Sequence, residues 1–228
     1  MKKLLVFSLI AIFSAAFARA SDSKTPRPDL VVRVETCEAI LREFMASSAT
    51  SIPPGVWKQA RGVMILNQFK AGLVIGVKDG YGVLMVRKPN GRWSIPVLID
   101  ASEASLGLQV GAKTVDTVFI ITDDATSHLL FKSRFNIGVD AKAVAGPKSA
   151  EYENESARTF VAPVLVYSRS VGLFAGATVK AGHVQRNDPA NFILYNTSYT
   201  MPELLYSDWV TPPVEVQPLM AYVQQLAP

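Results

Sequence analysis

Apolar residues recur at intervals of four and three from Leu30 onward, and Leu30, Val34, Cys37, Leu41 and Phe44 fall on one side of a helix of about four turns. Arg33, Glu35, Arg42 and Glu43 lie largely elsewhere. That polar side mixes both charge signs, so the spacing predicts packing against a core rather than insertion into a membrane. Pro53-Pro54-Gly55 interrupts, and a turn or two of helix over 56–61 can start from Pro54, since proline is tolerated at the first helical position. The period then changes. Residues 62–67, 72–78 and 82–87 are Val/Ile/Leu-rich runs, with Asp79-Gly80 as a turn signal between the second and third. Pro89-Asn90-Gly91 marks another turn, into 92–99.

Residues 105–113 and 114–122 read as a further strand pair, and Asp123-Asp124 can cap a helix over 125–133. Three more β-prone runs follow at 137–145, 159–167 and 172–184, with a polar loop over 146–156. The last stretch contains Pro202, Pro212, Pro213 and Pro218 and reads as irregular chain ending in a short helix over 219–226. Together these predict an α+β fold: an antiparallel, strongly coiled or barrel-like β core, an N-terminal amphipathic helix and a short helix near 123–133. Gly107, Gly111, Gly172, Gly176 and Gly182 punctuate the strands, which suits bulges, barrel corners or the close approach of a ligand.

The N-terminus changes where this domain is expected to work. Lys2 and Lys3 precede an apolar run from Leu4 to Phe17, and Ala18-Arg19-Ala20 ends in the small-x-small pattern read by signal peptidase. The run is about 14 residues, short of the roughly 20 that cross a bilayer as a helix. Residues 1–20 are therefore expected to be a cleaved signal peptide and 21–29 a flexible arm, with the product exported to a periplasm or cell envelope and attached to membranes only peripherally. Cleavage removes three basic residues and no acid, so the chain's net charge of +4 falls to +1. A nucleic-acid partner, which needs a basic face, is not expected.

Candidate chemistry is sparse. The two histidines, His128 and His183, lie 55 positions apart with no second ligand at helical spacing, and Cys37 is the only cysteine. Asp123-Asp124 suits a helix start, and residues 76–82 are glycine-rich with the wrong spacing for a phosphate loop. No catalytic residue, metal site or cofactor is predicted. What remains is a set of basic residues beside aromatics and turns: Trp57, Lys58, Arg61, Lys70, Lys78, Arg87, Lys88, Arg92 and Trp93. Cations beside amphipathic rings suit anionic lipid head groups, and these nine are the candidate lipid-binding residues.

Four motifs carry a resemblance: Gly91-Arg92-Trp93-Ser94-Ile95-Pro96, Gly107-Leu108-Gln109-Val110-Gly111-Ala112, Ala145-Gly146-Pro147, and the run from Tyr167 through Ser168-Arg169-Ser170 to Gly176. In order and spacing they resemble the SYLF domain. The resemblance extends to Cys37–Leu41, Ile52-Pro53, Ala60–Val63, Asn191 and Tyr195, about residues 30–197 in all. It implies a non-catalytic, phospholipid-binding module of α+β type, which in eukaryotic members binds phosphoinositides and in some binds actin filaments. With export, no SH3 or FYVE partner domain and a weakly basic mature N-terminus, the expectation is a phospholipid-binding protein of a bacterial envelope, with actin binding not expected. The boundaries expected are a SYLF-like domain over 30–200 and a Pro-rich extension over 201–228. The alternative is an envelope structural or adhesin-like protein that contacts other proteins through that extension.

Overall fold

A computed structural model describes residues 25–48, 50–72, 75–106, 111–129, 131, 134–136, 140–147, 162–171 and 183–228. The signal-peptide reading, most of the 146–156 loop, and Gly107, Gly172, Gly176 and Gly182 lie outside them. Among the described residues, eight strands form one mixed, open and strongly curled sheet. They are β1 (Gly62–Gly72), β2 (Ile75–Val86), β3 (Val97–Leu106), β4 (Gly111–Ile121), β5 (Arg134–Asn136), β6 (Ala143–Ala145), β7 (Val164–Val171) and β8 (His183–Arg186). Their order is β5-β8-β3-β2-β1-β4-β7-β6, antiparallel except where β6 runs parallel to β7. The α+β class and barrel-like curl match the expectation, but β1 sits between β2 and β4 rather than at the end of a meander.

Helix α1 (Arg27–Ala46) begins three residues before the periodic stripe, with Pro26 at its N-cap, so part of the expected flexible arm is helical. Its stripe is buried as predicted: Leu30, Val34, Cys37, Leu41 and Phe44 lie in the core against β1 and β2. Removing that face from water favours the packed helix by roughly 2 kcal/mol per large side chain, which is why the helix is committed to the sheet and not to a bilayer. The short helix α2 (Pro54–Gln59) starts from Pro54 as expected.

The largest departure concerns Asp79-Gly80. Instead of a turn, they lie mid-strand in β2, opposite Phe69 and Gln68, and the β1–β2 connection falls between Gly72 and Ile75. Glycine is needed here for proximity. A Cβ at Gly80 would stand 2.2 Å from the Asn67 carbonyl oxygen, and one at Gly82 2.1 Å from that of Ile65. The two glycines let β2 close on β1, and the Gly-rich signal is ambiguous between turn and close approach.

Helix α3 (Asp124–Leu129) has the predicted cap: Asp123 accepts the Thr126 amide at 2.6 Å and its hydroxyl at 2.8 Å. The C-terminal stretch is more ordered than its prolines suggest. Helices α4 (Asp188–Tyr195), α5 (Met201–Tyr206) and α6 (Gln217–Leu226) follow one another, and Met201, Leu204, Leu205, Leu219 and Val223 are buried in the common core. Arg27 of α1 pairs with Glu215 at 2.8 Å, and the Arg42 guanidinium sits 4.1 Å from the Tyr222 ring centroid. Residues 201–228 therefore pack on the N-terminal helix.

Candidate functional site

The nine candidate residues divide between two ends of the sheet. At the end where β1 begins stand Trp57, Lys58, Arg61, Arg87, Lys88, Arg92 and Trp93; Lys70 and Lys78 lie near the other end of β1 and β2. Nine steps along the strand separate Arg61 from Lys70, roughly 30 Å. They do not form one face.

Most of the first group is engaged within the protein. Trp57 and Trp93 are buried, and Trp93 Nε1 donates to the Ala227 carbonyl at 2.9 Å. Neither ring lies on the outer surface, where lipid head groups are met, which corrects the expectation for both. Their apolar area drew them into the core, where adjacent basic residues in sequence could not follow. Arg87 donates to the Pro228 carbonyl. The Lys88 ammonium is buried and donates to the Ser207 carbonyl at 2.5 Å and to Asp208 at 2.7 Å. Arg92 reaches Asp208 at 2.6 Å. Asp208 is held below the usual carboxylate range, chiefly by the Lys88 hydrogen bond. Lys58 and Arg61 are exposed.

These contacts build a cleft that sequence reading did not find. Lys88 carbonyl accepts from the Gly91 amide at 2.9 Å to close a turn, and Gly91 has φ +80°, a conformation glycine adopts without the strain of a Cβ. The turn presents Arg92 toward the segment 207–212 between α5 and α6. A cavity of about 420 Å³ lies between them, with Trp93, Ile95, Leu204 and Met220 on its apolar walls.

The opposite end of the sheet has another character. Strand register sets Lys113, Lys70 and Lys78 directly opposite one another across β4, β1 and β2, with Glu103 next on β3. Two residues farther along, on the same face, comes a row of glycines: Gly111, Gly72 and Gly76. On the other face α1 covers Ile65, whose carbonyl faces Cys37 Sγ at 3.8 Å, and reaches the Asn67–Asp116–Arg169 row through Glu43. The helix stops at Ala46, and Phe69, two residues beyond Asn67, is 55 % exposed.

Polar residues of the resemblance motifs serve the fold. Asn191 donates to the Leu98 carbonyl and accepts the Leu98 amide, clamping α4 to β3. Tyr195 donates to the Pro96 carbonyl. Ser94 accepts the Val86 amide and donates to the Ile95 carbonyl. A Cβ at Gly146 would stand 2.1 Å from the Tyr167 ring, so only glycine fits there. His128 packs on the Phe131 and Tyr206 rings, and His183 meets Ser102 at 2.9 Å. Among the described residues, no group of His, Cys, Asp and Glu is arranged to hold a metal, and no helix is long and apolar enough to cross a membrane.

Residues 102–226 match the family described as Las17-binding protein actin regulator, Ysc84. The chain is similar to LAS seventeen-binding protein 3 of Saccharomyces cerevisiae, 34 % identical over 179 residues, which cover 77 % of this chain and 39 % of that protein. It is also similar to Protein YSC84 of the same yeast, 32 % identical over 77 % of this chain and 38 % of the relative. The human SH3 domain-containing YSC84-like protein 1 is 28 % identical over 76 % of this chain and 52 % of its own length. The chain thus spans about two fifths of the length of the yeast relatives. The name of the first relative and the family description tie them to Las17, and the family description adds actin regulation, which overturns the expectation that set actin-linked partners aside.

Proposed function

Because this chain belongs to the family of Las17-binding actin regulators, the SYLF-domain family, we propose that it is a non-catalytic binding module, exported after cleavage following Ala20, that docks on anionic phospholipid with the far end of its sheet. The observation that carries this reading is the row Lys113–Lys70–Lys78 beside the glycine row. Like charges directly opposite one another in a sheet repel and cost stability, and a single Glu103 does not balance three lysines. An external anion removes the repulsion. Exposed Phe69 adds an apolar contact for the membrane interface.

The non-catalytic part of the proposal is supported by Ser94, Asn191 and Tyr195, whose polar groups are taken up by backbone contacts. Sedimentation of residues 21–228 with vesicles of 0 to 40 % phosphatidylglycerol in phosphatidylcholine tests the lipid reading. Binding is expected to rise steeply with anionic content and to weaken as salt screens the surface. Equal binding to neutral vesicles, or none at low salt, contradicts it.

A second reading is favoured by the family description: contact with a protein of the actin-regulating machinery. Export and such a partner coexist where the chain meets another cell's proteins, the case raised by the adhesin-like alternative. Actin filaments in the same sedimentation assay, without lipid, provide its test.

A further inference from the structure

Besides the lysine end, the cleft at the opposite end has the features of a docking site. Its mouth is charged and its walls are apolar, and a volume of about 420 Å³ falls within the range of ligand sites, roughly 300–1,000 Å³. Two cations, Lys88 and Arg92, face one carboxylate, Asp208, which leaves one positive charge unbalanced at the mouth. Lys88 is buried and holds the segment 207–208 in place. Arg92 is 66 % exposed at its side chain, and only one of its guanidinium nitrogens is directed to Asp208. A guanidinium carries five donors, so Arg92 can take a second carboxylate without giving up the first.

The segment that lines the cavity also carries exposed apolar side chains. Trp209, 63 % exposed, and Val214 flank the residues that line it. Trp209 is held in place by its ring against Tyr199, 5.1 Å between centroids, and by its amide donating to Ser207 Oγ at 3.3 Å. Pro212-Pro213 restricts the backbone of the same segment. Trp209 is next in the chain to Asp208, the partner of Arg92; exposed tryptophan and arginine are the residue types that dominate protein interfaces, and a rigid site loses little entropy on binding. A cleft whose lining segment carries further exposed apolar residues suits an extended ligand better than a compact one.

We infer that the cleft between the Lys88–Arg92 turn and the segment 207–212 docks an extended peptide segment of a protein partner, one that sets a carboxylate beside a bulky apolar side chain. The apolar side chain enters between Trp93 and Met220, the carboxylate pairs with Arg92, and the flanking residues lie along Trp209. This rests on the protein-partner reading and is independent of the lipid reading.

The test is fluorescence anisotropy of residues 21–228 with a labelled, capped decapeptide of alternating Glu and Leu, against the same peptide with Gln for Glu. The Glu peptide is expected to bind about tenfold more tightly or better than the Gln peptide, and Arg92→Gln and Trp209→Ala are each expected to weaken it about tenfold. Both residues are exposed, so neither change threatens the fold. Lys70→Gln is expected to leave peptide binding unchanged. Equal binding of the two peptides, or binding that Arg92→Gln and Trp209→Ala leave intact, overturns the inference. Trp209-dependent self-association, or Trp209-dependent uptake of laurate with no response to peptide, overturns it too, by giving the cleft to a second copy or to an acyl chain. Filament pelleting that persists in both variants likewise removes the cleft while leaving the protein-partner reading in place.

Discussion

Replacing Lys70, Lys78 and Lys113 together by glutamine is expected to weaken binding to anionic vesicles roughly a hundredfold while leaving the protein as stable as before, or slightly more so. A lysine near an anionic membrane surface contributes about 1 kcal/mol, so three contribute about 3 kcal/mol, and each 1.4 kcal/mol is tenfold. The stability side follows from register. Lys70 faces Lys78 on one side and Lys113 on the other. Opposed like charges destabilise a strand pair by a few tenths to about 1 kcal/mol, and glutamine relieves this. Vesicle sedimentation alongside thermal unfolding measures both halves. Weaker binding accompanied by a large loss of stability would mean that the lysines hold the sheet together instead, and unchanged binding would remove this end from the membrane contact.

A second large effect is expected at Arg169. Asn67, Asp116 and Arg169 occupy one row across β1, β4 and β7. Asn67 Nδ2 donates to Asp116 Oδ1 at 3.0 Å, and Arg169 donates to Asp116 Oδ2 at 2.9 Å and to Glu43 of α1. The Asp116 side chain is only 6 % exposed. Its hydrogen bond holds the Arg169 guanidinium still more firmly protonated than usual. Arg169→Met leaves that carboxylate buried with one amide for company. Breaking a buried pair from one side costs about 3–5 kcal/mol. Here about 3 kcal/mol is expected, because Asn67 remains, and the unfolding midpoint falls by roughly 6–12 °C. Adding Asp116→Asn removes the stranded charge and is expected to restore at least half of the loss. Denaturant unfolding of the single and double variants measures this, and a cost under about 1 kcal/mol for Arg169→Met would show that the row does not tie α1 to the sheet.

The elements with a clean period were legible in the sequence. The stripe from Leu30 to Phe44 could be read because a helix laid on a sheet needs one apolar side, and the Asp123 cap because its chemistry is local. Where one residue type serves two geometries, the pattern misled. Gly80 and Gly82 spell a turn in composition but sit mid-strand, because only the partner strand's position reveals the close approach. The prolines of 201–218 suggested irregular chain, yet Pro202 and Pro218 lie in the first turns of α5 and α6, where a missing amide proton costs nothing.

The candidate site was legible as a list of residue types and not as a surface. Trp57 and Trp93 stand beside cations in sequence, and adjacency could not say that the rings are buried. Lys70 and Lys78 were singled out, whereas Lys113 was missed: it joins them only through the β1–β4 pairing, between segments more than 40 positions apart. The cleft was invisible for the same reason. Lys88 and Asp208 are separated by 120 positions, and their bond is what holds its mouth.

Which end of the sheet meets the membrane can be read with a single fluorophore. Cys37 is buried and its thiol is pushed up to about 12, mainly by burial, so a cysteine placed at the surface takes the label alone. An environment-sensitive nitrobenzoxadiazole dye on Phe69→Cys is compared with the same dye on Lys58→Cys, at the exposed far end. On titration with phosphatidylglycerol vesicles, the dye at 69 is expected to brighten and shift to the blue while the dye at 58 stays as in water. A response at 58 and none at 69 would contradict the account.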